Sequence, residues 1–224
     1  MKRFFYFLIS TFLLQAMAYS CKSLDKTNIR KVNADAKYFP VDKSWTDSLA
    51  NSGEHVKNAL FNLYNNNVSK FNKDFNLSLT QVEFNNLKIL SSETFRIDSV
   101  DFKNLNEESA IQPMLKLVKT EAESYVLNDS VVFLNMVQKF KNGQWILHST
   151  GRIFDEVGNK IKDLHFKENI KVHDVIVDDY RYGKKKFIVF VRNGECINIK
   201  YGKEVPFIQR LLEFRTNLES GKIF

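Results

Sequence analysis

Two patterns in the chain predict an α+β protein. Apolar residues recur at helical spacing near residues 42–66 and 205–219, and between them short β-rich runs are closed by Asn-Gly turns. The fold class they imply is N-terminal amphipathic helices, antiparallel β-meander sheets and a C-terminal helix. A third observation concerns location. The first residues are two cations, an apolar run and small side chains, the pattern of an export signal.

That signal occupies residues 1–20. Lys2 and Arg3 precede the apolar stretch 4–14 (FFYFLISTFLL), which is short for the roughly 30 Å of a bilayer core. Two cleavage sites fit residues 16–21. Ala16-Met17-Ala18 offers the small-x-small site of ordinary signal peptidase and leaves Tyr19 first. Ala18-Tyr19-Ser20-Cys21 resembles a bacterial lipobox, which implies that Cys21 carries lipid and anchors the chain to a membrane. Cysteine usage sides with the lipobox. In an oxidising compartment the two cysteines, Cys21 and Cys196, would have to bridge a tail to a strand. A lipidated Cys21 leaves Cys196 as a buried thiol. The expected location is the bacterial cell envelope, membrane-anchored by lipid; ordinary cleavage would give a soluble periplasmic or secreted protein instead.

Residues 21–40 are polar, mixed in charge and without period, the composition of a flexible tether. Residues 41–155 are expected to form helix plus antiparallel sheet. Trp45, Leu49, Val56, Leu60, Leu63 and Tyr64 give one or two helices, with a weak point at Ser52-Gly53 and a stop at Asn65-Asn66-Asn67. Phe71 and Phe75 add a further helical turn. VEFNNLKIL (82–90) and FRIDSVDF (95–102) read as short strands, and Pro113 argues against a continuous element over 109–119.

The clearest local signal is the pair of apolar runs 131–140 and 145–154 around Lys141-Asn142-Gly143. In the first run Val132, Leu134, Met136 and Phe140 share one face, while Val131, Phe133 and Val137 share the other. Such a strand is expected in the middle of a sheet, covered on both sides. Residues 155–168 are the expected seam if the chain has two lobes. The segment 156–224 repeats the meander grammar, without a sequence repeat, in KVHDVIVDDY, KKFIVFVR and ECINIKY, and ends in a helix carrying Phe207, Leu211, Leu212, Phe214 and Leu218. It is either a second lobe or part of one domain with the preceding segment. Helix followed by a curled meander with KNGQWIL on a late strand resembles the cone-shaped NTF2-like and cystatin-like superfamily over residues 45–154. That resemblance implies a cone-shaped first lobe and assigns no site residues.

Several chemical signatures are absent: a Gly-rich phosphate loop, GxSxG, HExxH, CxxC and an EF-hand loop. No cofactor and no metal site are expected. His148, in WILHST, is the candidate general base of an envelope hydrolase, given an acid beside it. Ser149 and Thr150 come next in the same strand, where neighbours point to opposite faces, so no triad results. His173 and Asp174 fail as a chelating pair for the same reason. The formal net charge of +7 matters only where it clusters. Arg181, Lys184, Lys185 and Lys186, with Arg192 close after, form the densest basic patch, suited to anionic lipid headgroups. An exported protein rarely meets nucleic acid, so none is expected as partner. The reading is a binding or interaction module for an envelope protein partner or a small apolar ligand held between sheet and helices. The alternatives are a hydrolase using His148 and a structural subunit of an envelope complex.

Overall fold

The amphipathic run after Asp42 is one uninterrupted helix, α1 (Lys43–Tyr64), whose first turn is capped by the Asp42 side chain accepting from the Trp45 N–H. The computed structural model describes residues 37–40, 42–128, 132–179 and 183–222. The signal, Cys21, most of the tether and Arg181 lie outside them. The break expected at Ser52-Gly53 is absent. These small residues are where α1 lies closest to the sheet: Ser52 is fully buried and bonds Ser91 at 2.7 Å, and a Cβ on Gly53 would stand 3.2 Å from Ser91 Oγ. Close packing, not helix breaking, calls for them. Asn65, at φ 44°, ends the helix in the left-handed region, and Asn67 caps α2 (Val68–Phe75).

Strands then alternate with short helical turns that the strand expectation passed over. Residues 82–85 belong to α3 (Gln81–Asn85), held by a capping box in which Thr80 and Glu83 bond each other's backbone N–H. β1 (Lys88–Ile97) is followed by α4 (Ser99–Lys103), and Pro113 sits in a 3-10 turn (Gln112–Met114) ahead of β2 (Lys116–Leu127). β3 (Val132–Lys141) and β4 (Gln144–Arg152) form the hairpin, with Asn142 and Gly143 at φ 52° and 79°, the double positive φ of a two-residue turn.

α5 (Asp155–Lys162) and a π turn (Asp163–Lys167) then lead to β5 (Val172–Asp179), β6 (Gly183–Arg192), β7 (Glu195–Lys200), β8 (Lys203–Pro206) and α6 (Phe207–Glu219). β8, entered through Tyr201-Gly202 at φ 50° and 72°, is a strand the pattern did not announce.

All eight strands form one mixed sheet in the order β4-β3-β2-β1-β5-β6-β7-β8. Two antiparallel meanders, β1–β4 and β5–β8, meet where β1 runs parallel to β5. The first meander, preceded by α1, is half of a wider sheet, because β1 pairs with β5. This order overturns the central placement of the 131–140 strand. β4 is an edge and β3 lies next to it, while β1 and β5 hold the centre. Only one face of β3 is well buried among the described residues, with Leu134, Met136 and Gln138 turned toward α1.

α1 covers one face of β1–β4, where Trp45, Leu49, Val56 and Leu60 are buried. Each such side chain contributes about 1.5–3 kcal/mol on leaving water. α6 continues that layer over β5–β7 through Phe207, Leu211, Phe214 and Leu218. α5 and the π turn pack on the opposite face, where Ile161 and Leu164 meet Tyr125, Leu127, Phe190 and Ile197. Phe39, within the stretch expected to be tether, is buried against the sheet, stacked on His173 at 4.0 Å and tilted on Phe95 at 5.1 Å.

Candidate functional site

Four segments distant in sequence enclose a cleft of about 630 Å³. They are residues 37–38, the loop before β2, the start of β7 and the start of α6. Local chemistry fixes each wall. Phe39 pins the first segment, and the Tyr38 hydroxyl donates to the Gly194 carbonyl in the β6–β7 turn. Pro113 stiffens the 3-10 turn, and Pro206 closes β8 and caps α6, where a missing N–H costs nothing. Ile111, Pro113, Cys196, Pro206, Ile208 and the Tyr38 ring supply a mostly apolar lining. Exposed Lys37 and Glu195 add one charge of each sign. Concave, largely apolar spaces of a few hundred Å³ with few polar groups are the usual form of small-molecule sites.

A second concentration of chemistry lies at the centre of the sheet, where β1 carries Ser91-Ser92-Glu93-Thr94 and every residue from Ser92 to Thr94 is buried. On the α1 face, Ser52, Ser91, Ser124 and Gln138 form a hydrogen-bonded chain that ends at His55, whose Nδ1 is 2.8 Å from Gln138 Oε1. Glu93 lies on this face too, 2.6 Å from Lys171 Nζ and 3.4 Å from His173 Nδ1. Burial pushes the Glu93 carboxyl up, but His173 and Lys171 outweigh it and hold it below its ordinary value.

On the other face, Tyr125 donates to Asp174 Oδ1 at 2.6 Å, and Lys186 bonds Glu123 with Asp174 Oδ1 3.9 Å away. Asn135 donates to Glu123 at 3.2 Å. Burial, then the Asp174 carboxylate, pushes the Glu123 carboxyl up to about 7.

The structure scatters the residues singled out from the sequence. His148 is exposed on edge strand β4, at the bulge that shifts register between Val137 and Gln138. No hydrogen bond or ion pair joins it to an acid among the described residues. His173 and Asp174 face opposite sides of β5, as strand alternation requires.

The basic hairpin does not present its cations on one surface. Lys184 is exposed, Lys185 points to the opposite face, and Lys186 reaches Glu123. Arg192 is clamped by Glu168, at 2.7 and 2.6 Å, and by Glu204. The cleft left no local trace, since its walls come from separate segments. The polar centre left one: SSET interrupts a strand whose neighbours alternate, with polar groups on both faces. No described helix is long and apolar enough to cross a membrane. No protein-family model, curated protein or solved structure matches the chain.

Proposed function

We propose that this chain is an exported envelope protein, anchored through lipid on Cys21, that binds a small and mostly apolar ligand in the cleft beside α6. The cleft itself carries the reading: about 630 Å³ with an apolar lining from Ile111, Cys196 and Ile208, held by a segment that Phe39 fastens to the core. Lys37, which lines the cleft, lies 16 residues after Cys21 in the sequence. Binding here needs no chemistry from His148.

A fluorescent lipophilic probe, 1-anilinonaphthalene-8-sulfonate, tests the cleft. Wild-type protein is expected to bind it saturably, and Ala110→Arg, which fills the cleft from an exposed position, is expected to weaken that binding at least about tenfold, or about 1.4 kcal/mol. Equal binding by both proteins at unchanged stability would place the ligand elsewhere. Intact mass of the membrane-associated protein reads the anchor, and a soluble product beginning at Tyr19 would remove it.

A further inference from the structure

The cluster on the α5 face of the sheet joins residues that the topology keeps apart. Glu123 and Tyr125 belong to β2, Asp174 to β5 and Lys186 to β6, with β1 between β2 and β5. Tyr125 reaches Asp174 across β1, and Lys186 reaches Glu123 across β5 and β1. These contacts therefore span the junction where the two meanders meet, and the sheet must curl inward there for them to close.

The cluster is short of positive charge. Two carboxyls, 3% and 0% exposed, share one ammonium. Asp174 Oδ2 and the Thr94 hydroxyl are both fully buried, belong to paired residues of β5 and β1, and have no hydrogen-bond partner among the described residues. An unneutralised carboxylate in such a place is costly, and taking up a proton is the cheapest remedy.

Among the described residues, no ion pair or hydrogen bond brings a second cation to either carboxyl. On β1, Arg96 pairs with Asp178 of β5 at 3.1 Å. On β2, Glu121 adds a further negative charge acting on Lys186. β3 contributes the Asn135 amide and, across from Glu121 on the same face, the exposed Lys139, which bonds neither Glu123 nor Asp174 among the described residues. Lys184 of β6 is exposed at the end of the hairpin where β5 leads into β6, across from Asp178. In the covering segment, Lys160 pairs with Glu204, Lys167 with Asp163, and the half-buried His165 bonds the Ile170 backbone.

We propose that Glu123, Asp174, Lys186 and Tyr125 form a proton-binding site at the meander junction, which holds one proton on Glu123 beside the Asp174 carboxyl in mildly acidic surroundings and releases it toward neutrality, loosening the contacts that tie β2 to β5 and β6. The burial and charge balance of the pair agree with a Glu123 carboxyl pushed up to about 7. The site is independent of the cleft and of the anchor.

Carbon-13 labelling of glutamate carboxyls in the full chain reads the site directly. One resonance is expected to titrate with a midpoint near 7 and to vanish in Glu123→Gln. Asp174→Asn, which removes the like charge, is expected to shift that midpoint downward. If every glutamate carboxyl of the wild type titrates below about pH 5, or if Asp174→Asn leaves the midpoint in place, the site is not as proposed. Because the wild-type titration stands alone, a Glu123→Gln protein that fails to fold does not shield the proposal.

Discussion

Glu93 and Glu123 sit on neighbouring strands, each 3% exposed, on opposite faces of one sheet. One carboxyl is held below its ordinary 4.5 and the other is pushed up to about 7. Burial raises both carboxyls, more so at Glu123, and does not by itself give opposite directions. The partners decide. Glu93 has a cation in Lys171, half in water, and His173 on its other side, with no second carboxylate among its named neighbours. Glu123 has to share Lys186 with Asp174, whose negative charge works against its ionisation. The two faces of a sheet are thus separate electrostatic environments, even one strand apart.

The two glutamates act on stability in opposite directions. Glu93, with its lowered value, contributes stability that is present above 4.5 and is lost as pH falls through its folded value. Glu123, with its raised value, contributes stability that is full below 4.5 and is lost as pH rises through about 7. Maximal stability is therefore expected on the mildly acidic side of neutrality.

The largest predicted effect comes from Lys186→Met, which leaves two buried carboxyls without their cation. Breaking a buried pair costs about 3–5 kcal/mol, and the low end applies because 32% of the Lys186 side chain remains exposed. In urea melts the loss should be greatest near pH 8 and shrink near pH 5, where Glu123 takes up a proton. An equal loss at both would mean that Glu123 is ionised throughout.

A smaller effect is expected from Glu93→Gln, about 1–3 kcal/mol, since Lys171 can turn to water but His173 stays buried. Its pH profile should lose the fall on the acid side and keep the decline toward neutrality. Loss of the neutral limb instead would reverse the assignment of the two glutamates.

The smallest concerns Gly151. A Cβ there would stand 2.6 Å from Asn135 Oδ1, so Gly151→Ala displaces the amide that donates to Glu123. Losing that one bond should cost about 1 kcal/mol, with Glu123 titrating still higher because its carboxylate form loses a donor. A variant with unchanged melts and an unchanged Glu123 titration would show that Asn135 is dispensable to the cluster.

Much of the secondary structure was legible in the sequence. α1, α6 and the β3–β4 hairpin follow from period and from Asn-Gly, because helical spacing and positive φ are properties of a few consecutive residues. The misreadings have a common form. Ser52-Gly53 looks like a breaker, since a sequence shows small residues without the strand that presses on them. Residues 82–85 look like strand, although Thr80 and Glu83 form a capping box that was there to be read. The apolar run at 131–140 looks central because apolarity reports burial and not lateral position. The candidate sites were least legible. His148 stood out as a residue type and has no acid bonded to it among the described residues, while Lys186, taken for a surface cation, is the partner of a buried glutamate.

By itself the sequence determined the α+β class, most of the helices and strands, and the turn geometry at Asn142-Gly143 and Asn193-Gly194. Each rests on backbone preferences or on a period within one element. Only the tertiary structure decided that β1 lies beside β5, that Phe39 belongs to the core, and that the cleft and the two glutamate environments exist. Those features depend on groups far apart along the chain, 49 residues for Tyr125 and Asp174 and 63 for Lys186 and Glu123. A carboxyl's charge state is set by what stands within a few ångströms of it, and that distance is fixed by the order of strands in the sheet.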